Sequence, residues 1–70
     1  MRAWLRDIRR IKGMTEKQVA DTVGISQAAY HFIEHGQRNP TPSVAQRISD
    51  VLGFDWTLFY PRPTEDKKRA

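Results

Sequence analysis

Five consecutive residues, His31-Phe32-Ile33-Glu34-His35, set two imidazoles four positions apart with a carboxylate between them. On a helix that spacing stacks the histidines one turn apart on the same side. The order H-x-x-E-H is also one in which a class of zinc peptidases holds its metal. Catalytic zinc requires a third protein ligand and a cleft that admits substrate. A chain of 70 residues without cysteine has no room for that cleft, and a short motif without structural context is a weak signal. The sequence therefore reads as non-enzymatic, with no cofactor and no dedicated metal site. The two histidines face solvent by default and could share a metal ion only adventitiously.

The elements that must carry these residues are helical. Trp4, Leu5, Ile8 and Ile11 fall on one face of a segment from about Arg2 to Lys12, with Arg9, Arg10 and Lys12 at the end where cations suit the helix dipole, followed by Gly13. A second helix opens at Thr15, where Thr15 and Gln18 form a T-x-x-Q capping box, and buries Val19, Ala20 and Val23 before Gly24. A third takes Ser26 as its N-cap and turns Ala29, Tyr30 and Ile33 inward. The loop Gln37-Arg38-Asn39-Pro40 follows. A fourth helix starts with Thr41 as N-cap and Pro42 in the first turn, buries Val44, Ala45, Ile48, Val51 and Leu52, and closes at Gly53. A short turn of helix around Trp56–Phe59 comes last. Trp4, Tyr30 and Phe54 are assigned to the core. No alternating strand pattern is present, so the fold class is all-α, with four to five helices in one domain over residues 1–60. Residues 61–70 read as a charged, disordered tail whose Lys67, Lys68 and Arg69 are a solvated end.

Net charge is +4, but the body carries little of it. Residues 1–60 hold eight basic and six acidic groups, a surplus of two, and the last ten residues supply the other two. Composition alone does not demand a nucleic-acid partner, because phosphate neutralisation depends on clustered cations. No apolar run approaches the ~20 residues a membrane span requires, and the charged opening run is not of signal-peptide type. A cytoplasmic protein without membrane partners is expected.

The connection between the second and third helices carries the functional signal. Gly24 and Ile25 alone join them, which forces a sharp crossing. Ala20 is small where the helices would approach, and Gly24 can take the positive φ of the turn. The run from Met14 to Pro40, MTEKQVADTVGISQAAYHFIEHGQRNP, resembles the helix-turn-helix of the lambda-repressor-like (Xre/Cro) family. The likeness spans about Trp4 to Phe59 and is most specific at Gly24-Ile25-Ser26 and at Ile33-Glu34-x-Gly36-x-Arg38-x-Pro40.

The resemblance implies a sequence-specific regulator, commonly a phage or bacterial repressor, that binds double-stranded operator DNA as a homodimer and sits with the nucleoid. It places the third helix in the major groove. Gln27 matches the leading base-contact position, where an amide pairs with adenine. Ala28, His31 and Phe32 occupy the next outward positions; Ala28 and Phe32 offer apolar contact and His31 a donor or acceptor. Phosphates fall to backbone N–H groups near Thr15 and Ser26, and to Lys12, Lys17, Arg38 and Asn39. Arg9 and Glu34 match an internal ion pair of the family. The first position of the second helix, ordinarily Gln, is here Glu16, which repels phosphate but is placed to orient the Gln27 amide. Trp56, Leu58, Phe59 and Tyr60 divide equally between capping a small core and forming a dimer seam. The rival from another class is a protein-interaction module, an anti-repressor or antitoxin, that uses Phe32 and the Trp56–Tyr60 aromatics to hold a regulatory protein partner.

Overall fold

The computed structural model describes residues 1–60, so the expectation of a disordered tail falls on residues outside the described part. Four α-helices and one 3-10 turn succeed one another: α1 Ala3–Ile11, α2 Glu16–Val23, α3 Gln27–Glu34, α4 Pro42–Leu52, and the 3-10 turn Trp56–Phe59. None of the described helices is long and apolar enough to cross a membrane.

Local chemistry sets each boundary. Thr15 Oγ1 accepts from the Gln18 N–H at 3.1 Å while Gln18 Oε1 accepts from the Thr15 N–H at 2.8 Å, so the capping box closes in both directions. Ser26 Oγ accepts from the Ala29 N–H at 3.0 Å and Thr41 Oγ1 from the Val44 N–H at 3.3 Å. Gly24 ends α2 at φ 90°, a left-handed conformation that a side chain would strain. The chain can therefore turn straight from α2 into α3. Arg47 on α4 donates to the Val23 carbonyl at 3.3 Å, satisfying one of the acceptors that the end of α2 exposes.

Leu5, Val19, Ala20, Val23, Tyr30, Ile33, Ala45, Ile48, Leu52 and Phe59 form the buried core. All four helices and the 3-10 turn contribute. Ala20 is fully buried, in keeping with a small residue at a close crossing. Trp4, Phe54 and Phe59 seal one end with edge-on ring contacts at 5.3–5.6 Å.

One expectation is corrected. Ile11 does not join the apolar face of α1; as the closing residue of a nine-residue helix it is 85% exposed, and the covered stripe stops at Ile8. Phe59, read equally as a core cap or as part of a dimer seam, has its ring buried against Trp4 and Phe54. A core this thin draws in the large ring that can reach it.

Candidate nucleic-acid interface

The two sides of α3 differ sharply. Tyr30, Ile33 and Glu34 are 0%, 3% and 1% exposed, which fixes the helix on the core. Gln27, Ala28, His31 and Phe32 are all exposed. The four candidate base-contact residues thus share the outward face of one rigid element whose other face is locked.

Glu34 is the chief lock. Its carboxylate receives Arg9 Nε at 2.8 Å and Arg9 Nη2 at 3.0 Å, and Arg9 Nη1 donates to the Met14 carbonyl at 2.9 Å. Burial by itself would push the Glu34 carboxyl up, but the hydrogen bonds and charge of Arg9 outweigh it and hold the carboxyl below the usual range. The Tyr30 hydroxyl is buried nearby without a hydrogen-bond partner among the described residues. That burial, with the negative Glu34 beside it, drives the phenol strongly up, so Tyr30 stays neutral.

Arg2 also positions the end of α3, a role the sequence did not signal. Its N–H donates to the Glu34 carbonyl at 2.8 Å, and its guanidinium reaches the carbonyls of Ile33 and Arg38 and Oδ1 of Asn39. One residue at the chain's start thereby holds the loop after α3. Pairings across more than thirty positions leave no trace in local pattern.

The candidate phosphate residues are not alike. Arg38 is exposed and its guanidinium lies over the Phe32 ring, 5.5 Å from its centre. Asn39 gives its oxygen to Arg2, which fixes the amide at the loop's surface. Lys17 pairs with Asp21 at 2.9 Å, one turn on along α2, and both remain largely exposed. The Lys12 ammonium lies against Gly53, at the far end of α4. Thr15 and Ser26 spend their side chains on capping, so the donors at these two helix starts are first-turn backbone N–H groups.

Glu16 departs from its expected partner. Its carboxylate accepts from His31 Nδ1 at 3.1 Å and approaches His35 Nε2 at 3.7 Å; no hydrogen bond joins it to Gln27 among the described residues. From the first position of α2, Glu16 meets the imidazole donors of positions 31 and 35, further along α3 than Gln27. Sequence spacing paired the two histidines but gave no sign that a carboxylate from another helix completes the group.

A family model described as helix-turn-helix matches residues 5–59. The chain is similar to the uncharacterized HTH-type transcriptional regulator YqaF of Bacillus subtilis, 45% identical over 60 residues that cover 86% of this chain and 79% of that protein. It is similar to an uncharacterized HTH-type transcriptional regulator of Archaeoglobus fulgidus, 35% identical over 52 residues and covering 74% of each chain. Another from Methanothermobacter thermautotrophicus is 32% identical over 53 residues, covering 76% of this chain and 77% of that one. No solved structure matches the chain.

Proposed function

The chain belongs to the helix-turn-helix family of transcriptional regulators, non-enzymatic DNA-binding proteins, and from that premise we propose that it recognises a specific operator by seating α3 in the major groove. The observation that carries this reading is the division of α3 into a locked face and an outward one bearing Gln27, Ala28, His31 and Phe32. Gln27 reads adenine through its amide, Ala28 meets a thymine methyl, and His31 takes a donor or acceptor on a base edge. Phe32 packs on sugar or methyl carbons with Arg38 held over it, so the guanidinium is set beside a phosphate. First-turn N–H groups of α2 and α3, Lys17 and Asn39 complete the backbone contacts. Lys12, turned toward Gly53, is the weakest member of that set.

Three base contacts supply at most about 3–9 kcal/mol of discrimination. We propose that two copies act together on half-sites about 34 Å apart, as a repressor on a roughly palindromic operator. Leu58, exposed at the rim of an open groove it shares with Met1, Trp4 and Tyr60, is the apolar contact for the second copy. Selection of bound fragments from random duplex DNA tests the reading. Enrichment of a two-fold symmetric site is the expected result, and a pool that never departs from its starting composition overturns it. The rival docking role for Phe32 has less support, because the relatives this chain matches are named as transcriptional regulators.

A further inference from the structure

Glu16, His31 and His35 bring one carboxylate oxygen and one ring nitrogen each to within 4.8 Å of one another. We propose that these three residues bind a divalent first-row transition metal ion, zinc by chemistry, in a site that bridges α2 and α3 with an open coordination position left to water. Two imidazoles and one carboxylate are a ligand set that zinc takes with three protein donors and an open fourth position. Hard oxygen-seeking ions such as magnesium or calcium are disfavoured by the two nitrogens.

Three features of the structure favour the site beyond the choice of residues. Two donors stand on helices whose crossing is fixed by the buried Ala20, Tyr30 and Ile33, and the third, His35, is the C-cap of α3, its N–H bonded back to the His31 carbonyl, so the donors are held at or next to packed helices. His31 and His35 already lie ring against ring, centroids 4.0 Å apart, both turned to the same carboxylate. That carboxylate is the least exposed member, its side chain at 20% against 47% and 35% for the histidines, so its position is the most constrained. Glu34 does not compete for the ion, since both its oxygens are held by Arg9. On binding, the His31 Nδ1 proton now donated to Glu16 moves to Nε2, and both imidazoles coordinate in their neutral form.

The site stands without any assumption about DNA. Its consequence rests on the function proposed above: a divalent ion turns the single negative charge of Glu16 into a net charge of about +1 at the end of α2 that faces phosphate. It also withdraws His31 from base readout. Metal would then strengthen operator and nonspecific affinity together while reducing discrimination at the base opposite His31.

Binding is tested on the full chain, prepared without a polyhistidine tag and stripped with chelator, with no DNA present. Zinc titration followed by calorimetry should give one equivalent per chain, and free zinc at about a hundred times the dissociation constant should raise the melting midpoint on the order of 10 °C. His35→Ala and Glu16→Gln should each weaken binding by ~10-fold or more while melting like the parent in chelator. No heat and no midpoint shift, or zinc binding that survives both substitutions, overturns the site. As a measurement that needs no variant, substoichiometric zinc should shift the imidazole NMR signals of His31 and His35 together, and unshifted signals overturn it equally. Loss of DNA binding in the parent with intact zinc uptake would reject the operator reading and leave the metal site standing.

Discussion

Arg9 and Glu34 meet through two parallel hydrogen bonds, Nε to Oε1 at 2.8 Å and Nη2 to Oε2 at 3.0 Å, with the carboxylate 1% exposed. The pair ties α1 to the last residue of α3, the helix whose outward face has to be held still. Removing one partner strands the other charge in a place water hardly reaches. Arg9→Ala should therefore destabilise the domain by about 3–5 kcal/mol, read as a lowered denaturant midpoint. Arg9→Lys, which cannot reproduce the two-pronged contact, should fall between. A variant within ~0.5 kcal/mol of the parent would show that the pair does not anchor α3.

The same contact fixes the response to acid. Glu34 ionises below the ordinary value of 4.5 when folded, since Arg9 more than offsets its burial. A carboxyl whose folded pKa is depressed contributes stability that is fully present above its unfolded value and lost as pH falls through the folded one. Denaturant midpoints measured from about pH 7 down to pH 3 should decline below the ordinary carboxylate value, and Glu34→Gln should flatten that decline. An equally steep acid limb in the variant would assign it to other carboxylates.

The turn between α2 and α3 makes a separate demand. At Gly24, φ is 90° and an added methyl would meet only the Arg47 guanidinium at 3.8 Å, an ordinary contact. Space is no obstacle; conformation is. Gly24→Ala should cost about 1–3 kcal/mol of stability, measured by urea unfolding, from backbone strain alone. A neutral effect would mean the turn relaxes out of the left-handed region.

Most of the fold was legible because it rests on local rules. Thr15 with Gln18, Ser26, Thr41 with Pro42 and the four glycines fix helix ends within a few residues of themselves, and the apolar spacing of Val19, Ala20, Val23, Tyr30, Ile33, Ala45, Ile48 and Leu52 fixes which faces are buried. What escaped depends on distant pairings. Arg2 reaches Asn39, Arg47 reaches Val23, and Glu16 turns to His31 and not to Gln27. Ile11 failed for the opposite reason: its periodicity is helical, yet as the closing residue of α1 its side chain is left 85% exposed. The outward face of α3 could be inferred because burial of its other face dictates it. Which exposed residues touch a duplex is a property of the complex.

On the DNA, Gln27 and Arg38 should separate cleanly. Gln27→Ala removes a base-edge amide and should cut preference for the selected operator by about 1–3 kcal/mol while nonspecific affinity holds. Arg38→Ala removes a phosphate cation and the cover over Phe32; it should weaken all sequences alike and lower the slope of log affinity against log salt by about 1. Equal losses on operator and random duplex for Gln27→Ala would take it off the base edge.

The two-copy arrangement we propose turns on a single side chain more than on the aromatic cluster around it. Phe59 is buried at 3%, and Tyr60 is half-buried with its hydroxyl donating to the Pro40 carbonyl. Trp56 packs edge-on against Tyr60 at 5.9 Å. Leu58, 49% exposed, is the one apolar residue of the 3-10 turn pointed away from its own core, beside an open groove of about 490 Å³ bordered by Met1, Trp4 and Gly36. An aspartate there places a charge in the seam without touching the packed rings. Leu58→Asp should keep the parent's melting behaviour at concentrations where the parent is monomeric. It should shift sedimentation to the monomer and abolish cooperative occupancy of a two-half-site duplex, leaving single half-site affinity unchanged. Dimers that persist in Leu58→Asp would move the seam to another face, and a parent that stays monomeric both free and on DNA would dismiss the two-copy arrangement altogether.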